Sequence, residues 1–217
     1  MTKKERFEKI LGYFSKKMPR AETELSYRTP YELIVAVILS AQCTDKRVNV
    51  TTPEFFKSFP TPELLAASTP EQVYPLIKSI SYPNSKAKHL VAMAKMLVND
   101  FKGTVPDTVE SLMKLPGVGR KTANVVASVV YNLPALAVDT HVFRVSARLG
   151  LTTGAKNPLQ TEKQLMKYIP EGKVAIAHHW LILHGRYVCT ARNPKCADCE
   201  LKQFCLYYSK VFSEKVA

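Results

Sequence analysis

Cys189, Cys196, Cys199 and Cys205 put four thiols into seventeen residues, with six, two and five residues between successive cysteines. Thiolates are strong metal ligands, and four in so short a loop suit either a tetrahedral zinc ion or an iron–sulfur cluster. Zinc ribbons usually carry two C-x-x-C pairs and this loop carries one, so its chemistry alone leaves both metals open. Disulfides are disfavoured, because the cysteine count of five is odd and no secretory signal is present. Cys43 stands apart at the end of an apolar stretch and reads as a small core residue. His178, His179 and His184 precede the loop on a helix. Four cysteines already complete a site, so these histidines read as packing or polar-surface residues. Arg186, Arg192, Lys195 and Lys202 around the loop suit contact with a phosphate backbone.

A second chemical stretch is "LPGVGRKTANVV", residues 115–126. Gly117 and Gly119 permit a tight turn whose amides face outward, and at a helix N-terminus such amides bind a phosphate oxygen. A nucleotide P-loop is excluded: it needs a glycine directly before the lysine and a strand leading in. Here Arg120 precedes Lys121, and a helix from about Asp107 to Leu115 leads in. Helix, LPGVG, helix is the helix-hairpin-helix pattern of DNA-backbone binders, which makes Leu115, Gly117, Val118, Gly119 and Arg120 candidate DNA contacts. By spacing, Lys121 is one more phosphate contact. The sharper reading makes it a nucleophile, since a lysine that has shed its proton attacks carbon, and positive surroundings and partial burial favour that loss.

Asp139 in "AVDTHVFRV" sits where an apolar run meets a helix. It reads first as an N-cap. A carboxylate held rigidly by backbone amides is also suited to stabilising positive charge on a substrate, so the two roles are compatible.

The elements that must position these residues are helices. Phe7, Ile10, Leu11 and Phe14 share one face at helical spacing. Threonine followed by proline recurs at 29–30, 52–53, 61–62 and 69–70, each time with a glutamate within two residues, and predicts four capped helix starts. Residues 30–43 are apolar nearly all round, which predicts a central buried helix. Further helices are expected at 85–101, 107–114, 120–132, 139–149, 159–168 and 173–186. No strand alternation, repeat or low-complexity segment occurs, so the fold class is all-α. Thirty-one Lys and Arg against eighteen Asp and Glu leave a formal charge of +13, which points to a polyanion, and nucleic acid is the first candidate. Charges interrupt the N-terminal segment, and the apolar run at 33–41 is far shorter than the ~20 residues of a membrane span. The expectation is a cytoplasmic, nucleoid-associated protein with no membrane partner.

With these motifs in hand, the whole chain resembles the endonuclease III family of bifunctional DNA glycosylases. The match runs from "ELIVAVILSAQCTD" through "LPGVGRKTANVV" and "AVDTHVFRV" to "HHWLILHGRYVC" and the cysteine loop. The resemblance implies a 4Fe-4S cluster on the four cysteines. It implies a two-lobed architecture, with a six-helix barrel lobe at 22–132 and a discontinuous cluster lobe of 1–21 and 133–217, and damaged duplex DNA across the cleft. It places the catalytic lysine and aspartate on Lys121 and Asp139. It places on Gln42 a glutamine that plugs the base stack after a nucleotide is flipped out. The family commonly reads glycine, an apolar wedge residue and an aromatic residue before "NSK", where this chain reads Ser81, Tyr82, Pro83. Tyr82 is therefore the wedge candidate. The implied activity is removal of oxidised or ring-saturated pyrimidines through a lysine Schiff base, with a break 3′ to the abasic site, by a monomer. The rivals are an adenine-mismatch glycosylase on the same scaffold and a non-catalytic iron–sulfur DNA-binding redox sensor.

Overall fold

The structure is a computed structural model that describes residues 1–213, and no strand occurs among the described residues. Its helices are α1 Lys3–Lys17, α2 Pro30–Ser40, α3 Asp45–Ser58, α4 Pro62–Ala66, α5 Pro70–Ile77, α6 Pro83–Phe101, α7 Val109–Leu112, α8 Arg120–Tyr131, α9 Thr140–Leu149, α10 Pro158–Met166, α11 Val174–Tyr187 and α12 Leu206–Ser213. The chain divides into two compact units, Thr23–Leu133 and a discontinuous unit joining Met1–Glu22 to the chain from Pro134 onward. No helix among the described residues is long and apolar enough to cross a membrane.

In the first of these units α2 is the centre. Tyr31 through Leu39 are all buried, and α2 packs against α3, α6 and α8. The one acid in that buried run, Glu32, is satisfied by Arg28, whose backbone N–H and guanidinium donate to it at 2.7 and 2.8 Å. Three of the four threonine–proline pairs start helices as expected. Thr29 accepts from the Glu32 N–H at 3.1 Å, Thr61 from the Leu64 N–H at 3.4 Å, and the Thr69 N–H donates to Gln72 at 2.9 Å. The fourth does not. Pro53 lies inside α3, which begins eight residues earlier under Thr44, whose hydroxyl accepts from the Arg47 N–H at 3.3 Å. Thr52 is buried in the core instead of capping anything. α2 also stops short of its expected end. Cys43 lies beyond the helix and is half-buried, so it is not a core residue of α2.

In the discontinuous unit the four apolar residues of α1 are buried against Val142, Val145 and Leu149 of α9 and Val174, Ala177 and Trp180 of α11. Phe14 stacks on Trp180 at 5.9 Å, and the indole N–H donates to the Met18 carbonyl at 2.7 Å. Burying four such side chains contributes on the order of 6–12 kcal/mol, enough to hold the N-terminal helix to elements some 130 residues away in sequence. α9 and α11 approach closely at Gly185, where an added Cβ would lie 2.9 Å from the Cβ of His141.

Candidate functional site

The hairpin lies between α7 and α8. The helix leading in is a single turn, shorter than the expected run from Asp107 to Leu115, because Thr108 caps it at the Ser111 N–H and the chain turns out after Leu112. Leu115 and Val118 are buried, and the Val118 N–H donates to the Leu115 carbonyl at 3.0 Å. Their side chains thus hold the turn together, and only their main chain is left to meet a ligand. Gly117 has φ +80°, and a Cβ there would approach the Cβ of His89 on α6 to 2.9 Å. Gly119 differs: its φ is −86°, and a Cβ there would meet nothing within 4 Å.

Gly119 is also the N-cap of α8, which therefore has no side-chain cap. The first four N–H groups of a helix have no intrahelical acceptor. Elsewhere in the chain Thr2, Thr29, Thr44, Thr61, Thr108, Asp139 and Asn157 supply one. At α8 the cap is replaced by open space. Lys121, in the first turn of α8, is exposed, and has no hydrogen-bond or ion-pair partner among the described residues. The expected partial burial is not found, because the buried face of this helix starts at Ala123 and runs through Ser128.

Asp139 is the N-cap of α9, and its Oδ1 accepts from the Val142 N–H at 2.8 Å. Its other oxygen has no partner among the described residues, so the cap leaves half the carboxylate free. Lys121 belongs to the unit Thr23–Leu133 and Asp139 to the discontinuous one.

Gln42 and Tyr82 come together in the first unit. Both are exposed, and both hold left-handed backbone, with φ +55° and +56°. The Ser81 hydroxyl donates to the Gln42 carbonyl at 2.8 Å. Lys86 on α6 is buried, and its ammonium donates to the carbonyls of Leu39 and Ala41 at 2.8 and 2.6 Å. Burial pulls the Lys86 pKa down. The sequence reading attached no role to Ser81 or Lys86, since both act on carbonyls about 40 residues away.

The four loop cysteines line one cavity together with Leu149 and His184. Among the described residues no three His, Cys, Asp or Glu are grouped to hold a single metal ion. Burial, foremost, raises the thiols of Cys196, Cys199 and Cys205, and negative charge on neighbouring cysteines raises each further. A cationic group among them relieves both effects, and a set of sulfur ligands around a cavity fits an iron–sulfur cluster.

Two arginines of α9, missed by the sequence reading, organise this loop. Arg144 donates to the carbonyls of Gly185 and Cys189 at 2.9 and 3.2 Å. Arg148 donates to the carbonyls of Thr190 and Ala191 at 2.7 and 2.9 Å, lies 3.5 Å from the Cys189 sulfur, and stacks on Tyr207. Their spacing of four residues puts both on one helix face, which was the available signal. The three histidines of α11 are buried packing residues. His178 bonds the Ala137 carbonyl at 2.8 Å, and His184 packs edge-on to Phe14 with its Nε2 3.9 Å from the Cys199 sulfur. Burial pushes His179 and His184 down to about 4. Lys202 is used within the loop, donating to the Ala197 carbonyl at 2.8 Å.

Comparison with known proteins agrees with this layout. Residues 35–171 match the family model of HhH-GPD superfamily base excision DNA repair proteins. Residues 189–205, the cysteine loop, match the iron–sulfur binding domain of endonuclease III. That match settles the metal that spacing left open: the loop carries iron–sulfur, a 4Fe-4S cluster. Endonuclease III of Rickettsia prowazekii (strain Madrid E) is 47% identical over 205 residues, covering 94% of this chain and 96% of that protein. Endonuclease III of Escherichia coli (strain K12) is 43% identical, covering 97% of this chain and 99% of that protein. Among solved structures, a trapped endonuclease III–DNA covalent intermediate superposes with a TM-score of 0.92 at 44% identity, over 97% of this chain and 99% of that one. A thermostable thymine-DNA glycosylase shares the fold, with a TM-score of 0.86 at 23% identity. The bare helix start behind LPGVG, the capped aspartate and the thiol-lined cavity are thus found in a chain whose relatives match it almost end to end, and the chain belongs to the endonuclease III family.

Proposed function

We infer that this protein is a bifunctional DNA glycosylase and abasic-site lyase of base excision repair, acting on oxidised or ring-saturated pyrimidines in duplex DNA. One observation carries the assignment: α8 starts without a side-chain cap, beside a lysine whose side chain has no internal partner among the described residues. Donors without an acceptor at a helix N-terminus are a seat for a DNA phosphate. Holding the backbone there sets Lys121 against the sugar of a nucleotide rotated out of the stack. Flipping costs a few kcal/mol, and least for a lesion that stacks poorly.

The Lys121 amine, as the neutral base, donates its lone pair to C1′. The C1′–N bond breaks, and the damaged base leaves with the electron pair and takes up a proton. Opening of the sugar ring gives a Schiff base between Lys121 and C1′. Loss of a proton from C2′ then expels the 3′ phosphate by β-elimination, and water releases the lysine. Asp139 stabilises the positive charge that develops on the sugar through the carboxylate oxygen its cap leaves free, and assists the proton transfers. Gln42 and Tyr82 occupy the space vacated in the stack. Cys189, Cys196, Cys199 and Cys205 are the cluster ligands; the cluster is a rigid cross-link for the loop, and no reaction step passes through it. The same reading has a monomer at work on chromosomal DNA in the cytoplasm, with Thr23–Leu133 as the barrel lobe.

Borohydride trapping on a lesion-bearing duplex is the test. The wild type should form a permanent protein–DNA crosslink, and Lys121→Gln should lose both crosslink and base release while still binding the duplex. Efficient trapping by Lys121→Gln would assign the nucleophile to another amine. Adenine release from mismatches with little strand cleavage would favour the mismatch glycosylase, and no crosslink on any lesion would favour the silent binder.

A further inference from the structure

We propose that Ser81 is a positioning residue that locks the Gln42 and Tyr82 loops into one two-pronged unit, a proposal that rests on the glycosylase reading above. Two non-glycine residues in left-handed backbone on neighbouring loops are a stored strain, and strain of this kind persists only where the surroundings over-determine it. The surroundings here can be accounted for carbonyl by carbonyl. At the end of α2, the carbonyl of Val37 is taken by the Ser40 hydroxyl, Ile38 by the Ala41 N–H, and Ser40 by the Cys43 N–H. Leu39 and Ala41 are taken by the ammonium of Lys86. The carbonyl of Gln42, three residues before α3 begins, is taken by Ser81.

The anchoring therefore comes from α6 and the residue two places before it. Lys86 fixes the end of α2 to the first turn of α6, and the Lys86 N–H in turn donates to the Tyr82 carbonyl at 3.1 Å. Ser81 closes the circuit from the other side. Pro83, at the first helical position, fixes its own φ and favours extended backbone in the residue before it, so the left-handed Tyr82 is held against that preference by the bonds on either side of it. Tyr82 is left 64% exposed, an aromatic ring with no aromatic or cation partner among the described residues. Held stiffly, such a ring loses little freedom when it stacks against a base. The Ser81 bond couples the two prongs: the Gln42 carbonyl cannot rotate away without releasing the residue that precedes Tyr82.

The test is binding to a duplex with one tetrahydrofuran abasic analogue, against the same duplex intact, for the wild type, Ser81→Ala, Ser81→Thr, Tyr82→Ala and the Ser81→Ala/Tyr82→Ala double variant. Losing one hydrogen bond that pre-organises the loops should weaken Ser81→Ala about 3- to 10-fold on the abasic duplex. The intact duplex should change less than about twofold, because phosphate contacts elsewhere carry that binding. Ser81→Thr keeps the hydroxyl and should stay within about twofold of wild type. The double variant should lose less than the product of the two single losses, since without the ring the bond has only Gln42 left to hold in place. Effects of Ser81→Ala and Tyr82→Ala that simply multiply, or equal losses on both duplexes, would overturn the coupling. So would a Ser81→Ala protein that binds as wild type. A wild type with no preference for the abasic duplex would instead sink the glycosylase reading, which separates the two failures.

Discussion

Gly117 and Gly119 stand two residues apart in one turn, yet alanine should act at the two positions in opposite ways. At Gly117 the φ of +80° costs an L-residue roughly 1–2 kcal/mol. The new Cβ would also stand 2.9 Å from the Cβ of His89, on the rigid first carbon of a helix side chain, and relieving such a clash costs about 1–3 kcal/mol. Together these predict a loss of about 2–5 kcal/mol, a fall of roughly 4–20 °C in Tm for a chain of this size. At Gly119 neither term exists, since φ is −86° and nothing lies within 4 Å. A poorer N-cap and a stiffer unfolded chain offset each other there, and Tm should move by no more than about 3 °C. The methyl group of Gly119→Ala does, however, fill the space through which a phosphate must approach the uncapped first turn of α8. A hydrogen bond to a charged group is worth about 1.5–3 kcal/mol, so affinity should drop roughly 10- to 150-fold. The drop should be equal for damaged and undamaged duplexes, because a phosphate contact carries no sequence information. Thermal melts and fluorescence-anisotropy titrations of the two variants measure both quantities. A Gly119→Ala protein that binds DNA like the wild type would refute the phosphate seat, and a Gly117→Ala protein that melts like the wild type would refute the steric argument.

Asp139→Asn keeps an oxygen for the Val142 N–H and should melt within about 2 °C of wild type while base release falls on the order of 10²-fold; Asp139→Ala should add a loss of about 1 kcal/mol from the cap. Arg148→Lys cannot reproduce a planar fork that reaches two carbonyls and stacks on Tyr207, so iron should pass to a chelator at least about tenfold faster, as followed by visible absorbance. His179, held down to about 4 by burial, stays neutral in the fold, whereas the unfolded chain takes up a proton below about 6.5. Its contribution is therefore present above pH 6.5 and lost as pH falls toward 4, and urea melts across that range should show a shallower loss for His179→Gln than for wild type.

The sequence by itself determined the local chemistry. Thr29, Thr61 and Thr69 announce helix starts because a cap, a proline and an acid act within one turn. The spacing of Phe7, Ile10, Leu11 and Phe14 marks a buried face for the same reason, since 3.6 residues per turn is a property of the chain alone. The cysteine loop and LPGVG are equally local, and their ligand types follow from residue chemistry. Tertiary structure decided whatever rests on contacts between residues distant in the chain. It made Thr52 a core residue because a better cap stood upstream at Thr44. It exposed Lys121, whose helix buries a face that begins two residues later. It brought His89 against Gly117 and nothing against Gly119, so two identical residues in one motif acquired different reasons to be glycine. It joined Ser81 to Gln42 across 39 residues, and Arg148 to Thr190 across 42. No periodicity encodes such pairs, because a carbonyl offers its oxygen whatever side chain its residue bears. Only the packing of α2 against α6, and of α9 against α11, determines which oxygen a donor reaches.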